Sequence, residues 1–327
     1  MNGRSAGGSS DRPIEGVLVV DKPAGPTSHD VVGRARRLLD ETRIGHTGTL
    51  DPLATGVLPL VIGKATRLAS MLSSTDKDYE ATIRLGAVSD TYDAAGRVEP
   101  DPPVRPAIER AEVEAALEAF RGAFEQMPPP YSAKKVGGVP AYKLARKQHP
   151  TQLTAVRVTV HALDLLSFED GRVKLHMRTS PGFYVRSLAH DLGACLGCGA
   201  YLESLRRTRA GRFGLEQAVR LADLEAEPDR ASALVVPLEQ LVPELPAVRL
   251  NARGAERASH GNSLRPIDVS ETVSETGTLN ISVAAPPEML SVPVSGGRVR
   301  LFDPDGRLLA IAEQGADGLL RPLIVLV

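Results

Sequence analysis

No stretch of eighteen consecutive apolar residues occurs in the 327-residue sequence, and the opening Met1–Asp11 lacks the apolar core of a signal peptide. These two absences argue against a membrane-spanning protein and against a secreted one. The Gly- and Ser-rich opening is instead typical of a disordered tail, which we place at residues 1–12. We therefore expect a soluble, cytoplasmic protein with no membrane partner.

Cysteine is scarce, since Cys195 and Cys198 are the two that the chain contains and they form one C-x-x-C. A structural metal site usually needs a second pair of ligands, and none stands nearby in the sequence. A thioredoxin-like redox motif would follow a strand, whereas the residues before Cys195 have the pattern of a helix. We interpret both residues as ordinary reduced thiols.

Net charge is nearly absent, because 39 Lys and Arg residues are balanced by 40 Asp and Glu residues. The charges are nevertheless segregated along the chain. Gln126–Leu163 has no acidic residue, and a second acid-free cluster follows Leu205. Such segregation favours a surface that binds a polyanion, although solvated surface charges are the simpler alternative. The basic residues concerned are Lys134, Lys135, Lys143, Arg146, Lys147 and Arg157, and then Arg206, Arg207, Arg209 and Arg212.

Secondary structure can be predicted from the spacing of apolar residues. Thr27 precedes Asp30 by three residues, the spacing of a capping box, and apolar residues follow at helical spacing. Tyr79–Leu85 alternates apolar and polar residues, as a half-buried strand does. Strands at Gly16–Val20, Val57–Ile62, Val156–Val160 and Val173–Met177, and helices at Ala111–Phe120 and Tyr184–Leu196, follow from the same reasoning. Their irregular order favours an α+β fold with a mixed sheet.

The length suits two domains, and Pro243–Pro246 has the composition of a linker between them. We expect a first domain at residues 13–245 and a second at residues 246–327. Prolines at positions 128–130 end regular structure and open an irregular basic loop at about residues 126–150. Short β segments in the second domain indicate a small β-barrel, at Leu290–Val294, Arg298–Phe302, Leu308–Ala312 and Leu323–Val327.

Gly45–Gly56, which reads GHTGTLDPLATG, is the most unusual segment. Its glycines suggest special backbone angles or a close approach to a ligand. A phosphate-binding P-loop is excluded, because Gly56 and Gly63 are too far apart and Ala65 follows Lys64 where Ser or Thr is required. Asp51 precedes a proline, which favours an extended backbone and lets the carboxylate project from a rigid turn. An Asp-Pro pair by itself, however, is more often a plain turn.

Further motifs in a fixed order change that interpretation. They are Asp21-Lys22-Pro23-Ala24-Gly25, Lys77-Asp78-Tyr79, Ser89-Asp90-Thr91-Tyr92-Asp93, Pro128-Pro129-Pro130-Tyr131-Ser132-Ala133-Lys134-Lys135 and Gly182-Phe183-Tyr184-Val185-Arg186-Ser187-Leu188. Together with Gly45–Gly56, the region Gly16–Phe213 resembles the bacterial tRNA pseudouridine-55 synthases of the TruB family. The resemblance implies the pseudouridine synthase fold, with a mixed, largely antiparallel sheet flanked by helices. It also implies that the second domain is a small β-barrel of the PUA type, which binds RNA.

The resemblance further implies the reaction, an isomerisation of uridine to pseudouridine at position 55 in the T-arm loop of tRNA. Asp51 matches the family's catalytic carboxylate, which acts at either the sugar C1′ or the uracil ring. It could form a covalent adduct there or abstract a proton towards a glycal intermediate, and the sequence leaves both open. A carboxylate nucleophile suffices, so we expect no metal or organic cofactor. Arg186 is implied as its bidentate counter-charge, Asp93 as the carboxylate behind Arg186, and Tyr79 as the aromatic residue that stacks on the base.

Several residues are implied in RNA binding. The target uridine must be flipped out of its stack, at a cost of a few kcal/mol. His46 matches a residue near the extruded nucleotide, Lys22 a support of the site and Leu205 a wall of the pocket. One departure is Pro181, where relatives often carry a basic residue. The loop at about 126–150 resembles a thumb that grips RNA, with Lys134, Lys135, Lys143 and Lys147 as its cations.

Three alternatives stay open at this point. A related synthase could depend on a guide RNA and partner proteins, although the basic thumb favours recognition of tRNA by the chain itself. An RNA-folding chaperone could use the same frame without catalysis, but the retention of Asp51, Tyr79 and Arg186 disfavours this. A tRNA-folding chaperone role could still accompany catalysis. An unrelated enzyme could use the glycine-rich loop for a nucleotide. We expect tRNA as the partner, with no obligatory protein partner or guide RNA.

Overall fold

The computed structural model describes residues 13–100, 108–131, 135–136, 139–140, 153–273 and 297–327. The helices are α1 (Ser28–Leu39), α2 (Ala69–Ser73), α3 (Arg110–Leu117), α4 (Val185–Leu196), α5 (Leu221–Ala226) and α6 (Ala252–Ser259). The strands are β1 (Gly16–Lys22), β2 (Ile44–His46), β3 (Thr55–Ile62), β4 (Lys77–Leu85), β5 (Ala87–Ser89), β6 (Val98–Pro100), β7 (Gly122–Gln126), β8 (Lys135–Val136), β9 (Val139–Pro140), β10 (Val156–Glu169), β11 (Arg172–Thr179), β12 (Ala200–Ala210), β13 (Phe213–Gly214), β14 (Val219–Arg220), β15 (Val236–Pro237), β16 (Ala247–Leu250), β17 (Val269–Val273), β18 (Arg298–Phe302), β19 (Leu308–Gln314) and β20 (Leu320–Val325).

One large sheet dominates the structure, with the strand order β14-β1-β3-β12-β4-β11-β10-β7. Outside this order, β2 pairs with β3, β13 pairs with β12 and β15 pairs with β1. The pairs β1–β14 and β3–β12 are parallel, and the other pairs of this sheet are antiparallel. The predicted α+β fold with a mixed, largely antiparallel sheet is therefore confirmed.

Local sequence explains the elements that flank the site. The side chain of Thr27 accepts a hydrogen bond from the backbone of Asp30 and the Asp30 carboxylate accepts one from the backbone of Thr27, so α1 begins with the predicted capping box. Val31, Val32 and Ala35 turn one face of α1 into the core. In β4 every second residue is buried, Tyr79 among them, as the alternation predicts.

The main error of the sequence-based interpretation is β12, which we had not predicted. It is eleven residues long and lies in the middle of the sheet between β3 and β4. Its pairing with β4 shifts register between Leu202 and Ser204 and again between Arg207 and Arg209. Each irregularity interrupts the period of two, so no continuous alternation marks this strand in the sequence.

The C-terminal region forms a second sheet in the order β17-β16-β18-β19-β20. Arg300 donates hydrogen bonds from its guanidinium to the carbonyls of Leu245 and Pro243, the segment that we predicted as a linker. Leu308, Ile311 and Leu326 share a buried apolar cluster with residues of β1 and β3. The predicted strands β18, β19 and β20 are present, whereas Leu290–Val294 lies outside the described residues.

This sheet does not close into a barrel within the described residues, so the PUA-type barrel stays a prediction. Over the same part of the chain, no helix has both the length and the apolarity needed to cross a bilayer.

Candidate functional site

A cavity of about 120 Å³ opens where β4, β12 and the start of α4 meet the glycine-rich loop. Residues 45–56 form one side, which we call the loop wall, and the first turn of α4 forms the other, which we call the helix wall. Four residues predicted from the sequence meet here, namely Asp51, Tyr79, Arg186 and Leu205. The remaining lining residues are Thr49, Leu50, Phe183, Tyr184 and Val185.

Arg186 crosses from the helix wall to Asp51. Its Nε lies 3.0 Å from Asp51 Oδ2 and 3.6 Å from Asp93 Oδ2. Nη1 donates to the carbonyl of Thr91 at 3.1 Å, and Nη2 donates to the carbonyl of Tyr131 at 2.9 Å. Nε is the nitrogen that approaches Asp51, whereas both terminal nitrogens donate to backbone carbonyls, so the expected bidentate grip stays a prediction. A guanidinium with every nitrogen occupied has little freedom to move.

Asp51 is enclosed by protein but remains open to the cavity, with 35% of its side chain exposed. Burial raises the pKa of Asp51 above its ordinary value of 3.8, and the nearby charge of Asp93 adds to the rise. Arg186 and Lys22 oppose it by favouring the charged form. The carboxylate is thus both accessible and less strongly stabilised as an anion than an exposed aspartate, which suits a nucleophile.

Lys22 supports the loop wall from below. Its side chain is fully buried, and Nζ donates to the carbonyl of Ala54 at 2.7 Å and to that of Pro52 at 3.3 Å. Burial lowers the pKa of Lys22 to about 8, against the opposing charge of Asp51. On the same wall, Ser28 exchanges hydrogen bonds with the backbone N–H and C=O of Leu50. The backbone on both sides of Asp51 is therefore fixed.

Arg207 is a functional candidate that the sequence analysis placed on the molecular surface, whereas the structure buries it. It is 2% exposed, and it donates from Nε to Val57 O at 2.7 Å and from Nη2 to Gly48 O at 3.0 Å. It also hydrogen-bonds the side chain of Tyr79, and burial lowers its pKa. Gly56 has a φ of +99°, and a Cβ there would lie 2.1 Å from the carbonyl oxygen of Arg207.

The other arginines of that predicted basic cluster are engaged by protein groups. Arg206 pairs with Asp21 at 2.8 Å, Arg209 lies 3.8 Å from Asp78, and Arg212 donates to the carbonyl of Gln240. The cluster is free of acids in sequence but not in space, because the sheet places β4 directly beside β12 and β1 on the far side of β3. Its interpretation as a free polyanion-binding surface is wrong for Arg207.

Gln126 is a second residue that the sequence analysis did not single out. Its amide accepts from Tyr184 N at 2.8 Å and donates to Tyr184 O at 3.0 Å, and the residue is 2% exposed. Ser187 adds a hydrogen bond to the carbonyl of Met127 at 2.7 Å. These contacts tie the end of β7 to the helix wall. The proline run at residues 128–130 is the sequence signal for these contacts. Because prolines have no backbone N–H to donate, side chains next to them must hold this segment against the helix.

The remaining predicted residues are His46 and the lysines of the predicted thumb. His46 lies on β2 and accepts from the backbone N–H of Gly48 at 3.3 Å through Nδ1. Burial lowers the pKa of His46, and Arg207 lowers it further. Lys135 begins β8, although nothing is described of its side chain. Lys134, Lys143 and Lys147 lie outside the described residues.

The two cysteines are not paired with each other, and Cys195 is exposed whereas Cys198 is buried. In the described ranges no three His, Cys, Asp or Glu side chains converge as a metal site would require.

Comparison with known proteins agrees with the fold. Residues 36–185 match the family model described as TruB family pseudouridylate synthase (N terminal domain). Residues 186–243 match the model described as tRNA pseudouridylate synthase B C-terminal domain.

Curated relatives and solved structures extend these matches. A protein named tRNA pseudouridine synthase B from Thermobifida fusca is 44% identical over 95% of this chain and 98% of its own length. Its namesake from Azoarcus sp. is 44% identical over 78% of this chain and 84% of its own. The solved structure "Crystal Structure of a Cbf5-Nop10-Gar1 Complex" has a similar fold, with a TM-score of 0.68 at 24% identity over 96% of this chain and 85% of that chain. The chain therefore belongs to the TruB family of pseudouridylate synthases.

Proposed function

We propose that the chain isomerises a uridine in the T-arm loop of tRNA, at position 55, to pseudouridine, with Asp51 as the nucleophile. The observation that carries the proposal is the Asp51 carboxylate, which faces a cavity while Arg186 lies 3.0 Å away. The chain belongs to a family of pseudouridylate synthases, which supports the isomerisation of uridine as the reaction at this site. The relatives named tRNA pseudouridine synthase B support tRNA as the substrate.

The reaction is balanced without any further reactant. The C1′–N1 bond breaks, the detached uracil turns, and a C1′–C5 bond forms, while the proton lost from C5 is matched by one gained at N1. Asp51 attacks C1′ or the uracil ring, and Arg186 stabilises the charged carboxylate before and after the attack. Tyr79, whose side chain contacts Arg207, stacks on the base and carries the proton at C5. Leu205 closes the pocket, and no cofactor has a step to perform.

Recognition of tRNA is assigned to surfaces around the cavity. The thumb at residues 126–150 supplies Lys134, Lys135, Lys143 and Lys147 as phosphate contacts, and His46 meets the RNA beside the flipped nucleotide. The second sheet, proposed as a PUA-type module at residues 246–327, extends the contact. Phosphate binding and stacking together offset the cost of extruding the uridine.

The thumb assignment predicts a change in salt dependence. Replacing the four lysines with glutamine should weaken tRNA binding and flatten the plot of log affinity against log salt by roughly 0.7–0.9 per lost contact. Affinity titrations at several salt concentrations measure this slope, with Lys64→Gln, a lysine paired with Glu15, as the matched control. An unchanged slope in the quadruple variant would refute the phosphate contacts.

We further propose that the chain needs neither a guide RNA nor a partner protein. The bacterial relatives that are more than 40% identical are named for tRNA, whereas the likeness to the Cbf5 complex concerns the fold alone. The decisive experiment incubates the purified chain with unmodified tRNA and maps pseudouridine by position. Product at position 55 is expected with no other macromolecule present. Product that forms only after a guide RNA or partner proteins are added would contradict the proposal.

A further inference from the structure

Tyr92 occupies a backbone conformation that its residue type rarely adopts. Its φ is 65°, in the left-handed region, where a bulky L-residue is strained and glycine is not. Such strain persists when the surrounding structure imposes it, and it is concentrated near functional sites. A glycine at this position would remove the strain. The tyrosine side chain must therefore make an interaction that glycine could not supply.

That interaction is a stack between Tyr92 and His190 of α4. The two rings have centroids 4.0 Å apart and planes inclined by 19°. His190 is oriented in turn by Asp191, whose Oδ1 lies 2.9 Å from Nδ1. His190 follows Arg186 by four residues on the helix, so the two side chains project from the same face.

The residues on both sides of Tyr92 bind Arg186. The carbonyl of Thr91 accepts from Nη1, and the carboxylate of Asp93 lies 3.6 Å from Nε. Thr91 Oγ1 also donates to Asp93 Oδ1 at 2.6 Å, which fixes the carboxylate within the turn. The turn thus meets α4 at two points one helical turn apart. Arg186 binds its backbone and carboxylate, and His190 binds its ring.

We propose that the Tyr92–His190 stack is a positioning device for Arg186, holding the turn of residues 91–93 against α4 so that Arg186 stays aligned with Asp51. The backbone of the turn is anchored on β12, because Leu202 N donates to Tyr92 O at 3.0 Å. This hydrogen bond fixes the position of the turn on the sheet. The Tyr92–His190 stack then sets the distance between the turn and α4, which is the distance that the Arg186 side chain spans. This inference rests on the proposed function, since alignment matters for the reaction of Asp51.

Four variants separate the stack from its alternatives. Tyr92→Phe keeps the ring and loses only the hydroxyl. Tyr92→Gly removes the ring at a position whose backbone favours glycine, so the fold is preserved. His190→Ala removes the stack from the helix side without a helix-breaking residue. His176→Ala is the matched control, because His176 makes a similar contact with Asp164, 3.3 Å away, on strands β11 and β10.

The measurements are the single-turnover rate on saturating tRNA, the tRNA affinity, and the pH at which the rate falls to half on the acidic side. Tyr92→Gly and His190→Ala should each slow the reaction about 10-fold or more, because small misplacements of a catalytic contact cost that much. Affinity should change little. The acidic midpoint should move to higher pH, since Arg186 and Lys22 lower the pKa of Asp51 while Asp93 raises it, and a displaced Arg186 loses its share.

The double variant Tyr92→Gly/His190→Ala should be no slower than the slower single variant, because both remove one contact. Tyr92→Phe and His176→Ala should keep the wild-type rate and midpoint. The inference is overturned if both stack-removing variants keep the wild-type rate and midpoint, or if Tyr92→Phe is as slow as Tyr92→Gly. An inactive wild-type enzyme would instead refute the proposed function, so the two failures are distinguishable.

Discussion

The loop wall and the helix wall fix their key residues in opposite ways. On the loop wall, buried cations donate to backbone carbonyls, Lys22 to Ala54 and Arg207 to Gly48, and the Asp51 carboxylate is left open to the cavity. On the helix wall, the carbonyls of other segments bind the functional side chain itself, Arg186. The difference separates two requirements of one site. Asp51, the proposed nucleophile, is open to the cavity on a fixed backbone, whereas Arg186, its proposed counter-charge, is held by hydrogen bonds to other segments.

The largest effect is expected on the loop wall, from Asp51→Asn, which removes the proposed nucleophile. Asparagine preserves the shape but cannot act as the nucleophile, so the single-turnover rate should fall by at least about 10³-fold. The affinity for tRNA should stay close to that of the wild type, as binding measurements can show. Asp40→Asn is a suitable control, because Asp40 is an exposed left-handed helix cap and asparagine tolerates that conformation. Turnover of Asp51→Asn within tenfold of the wild type would exclude Asp51 as the nucleophile.

The helix wall is tested by Arg186→Lys. Lysine keeps the charge but cannot reach Asp51 and the carbonyls of Thr91 and Tyr131 together. We expect the single-turnover rate to fall about 10²-fold, as for loss of one preorganised donor, with a smaller change in affinity. A variant that loses affinity while it retains its single-turnover rate would identify Arg186 as an RNA contact.

Arg207→Met tests whether the loop wall depends on its buried cation. The carbonyls of Val57 and Gly48 would lose their donor in the interior, at about 1–3 kcal/mol for each unsatisfied group. The free energy of unfolding, measured with denaturant, should fall accordingly, and the rate should fall with it. The adjacent Arg206→Met is the matched control. Arg206 is 38% exposed in its pair with Asp21, and such pairs contribute about 0–1 kcal/mol. Equal destabilisation by the two variants would show that burial of Arg207 is not what matters.

The smallest expected effect is a shift in pH dependence whose sign differs between the two charges beside Asp51, those of Asp93 and Arg186. If Asp51 is the nucleophile, it reacts when ionised. Its pKa is raised above 3.8 by burial, so activity should be present above that raised pKa and should be lost as the pH falls through it. Asp93 contributes to the rise, so Asp93→Asn should move the acidic midpoint of the single-turnover rate to lower pH. Arg186→Ala should move it to higher pH, because the guanidinium favours the charged form of Asp51. Two shifts of the same sign would contradict the proposed arrangement of charges.

The sequence predicted local elements well where a single period governs a segment. The capping box at Thr27 and the alternation of β4 both express contacts between near neighbours, so the sequence carries their full signal. The convergence of Asp51, Tyr79, Arg186 and Leu205 on one cavity, in contrast, was expected from the family resemblance and not from periodicity. Their catalytic roles stay predictions until the variants are measured.

The missed features share a physical cause, which is that their partners are distant in the sequence. Arg207 appears as one of several basic residues until β12 is placed beside β3, 150 residues earlier, where Val57 accepts its Nε hydrogen. Gln126 is likewise an ordinary polar residue until α4 brings Tyr184 to it. A buried cation that binds carbonyls leaves no complementary charge in the sequence, so charge counting assigns it to the surface.

The apolar cluster that Leu308, Ile311 and Leu326 share with β1 and β3 bears on how the chain unfolds. The sequence predicts a linker at Pro243–Pro246, which would separate two domains. In the structure, Arg300 of the second sheet donates hydrogen bonds to carbonyls of this segment. Removing the second sheet would expose apolar side chains of the first, including Val17 and Val61, to water. The two sheets therefore bury apolar surface on each other, and β1, the strand that carries Lys22, packs in one cluster with residues of the second sheet.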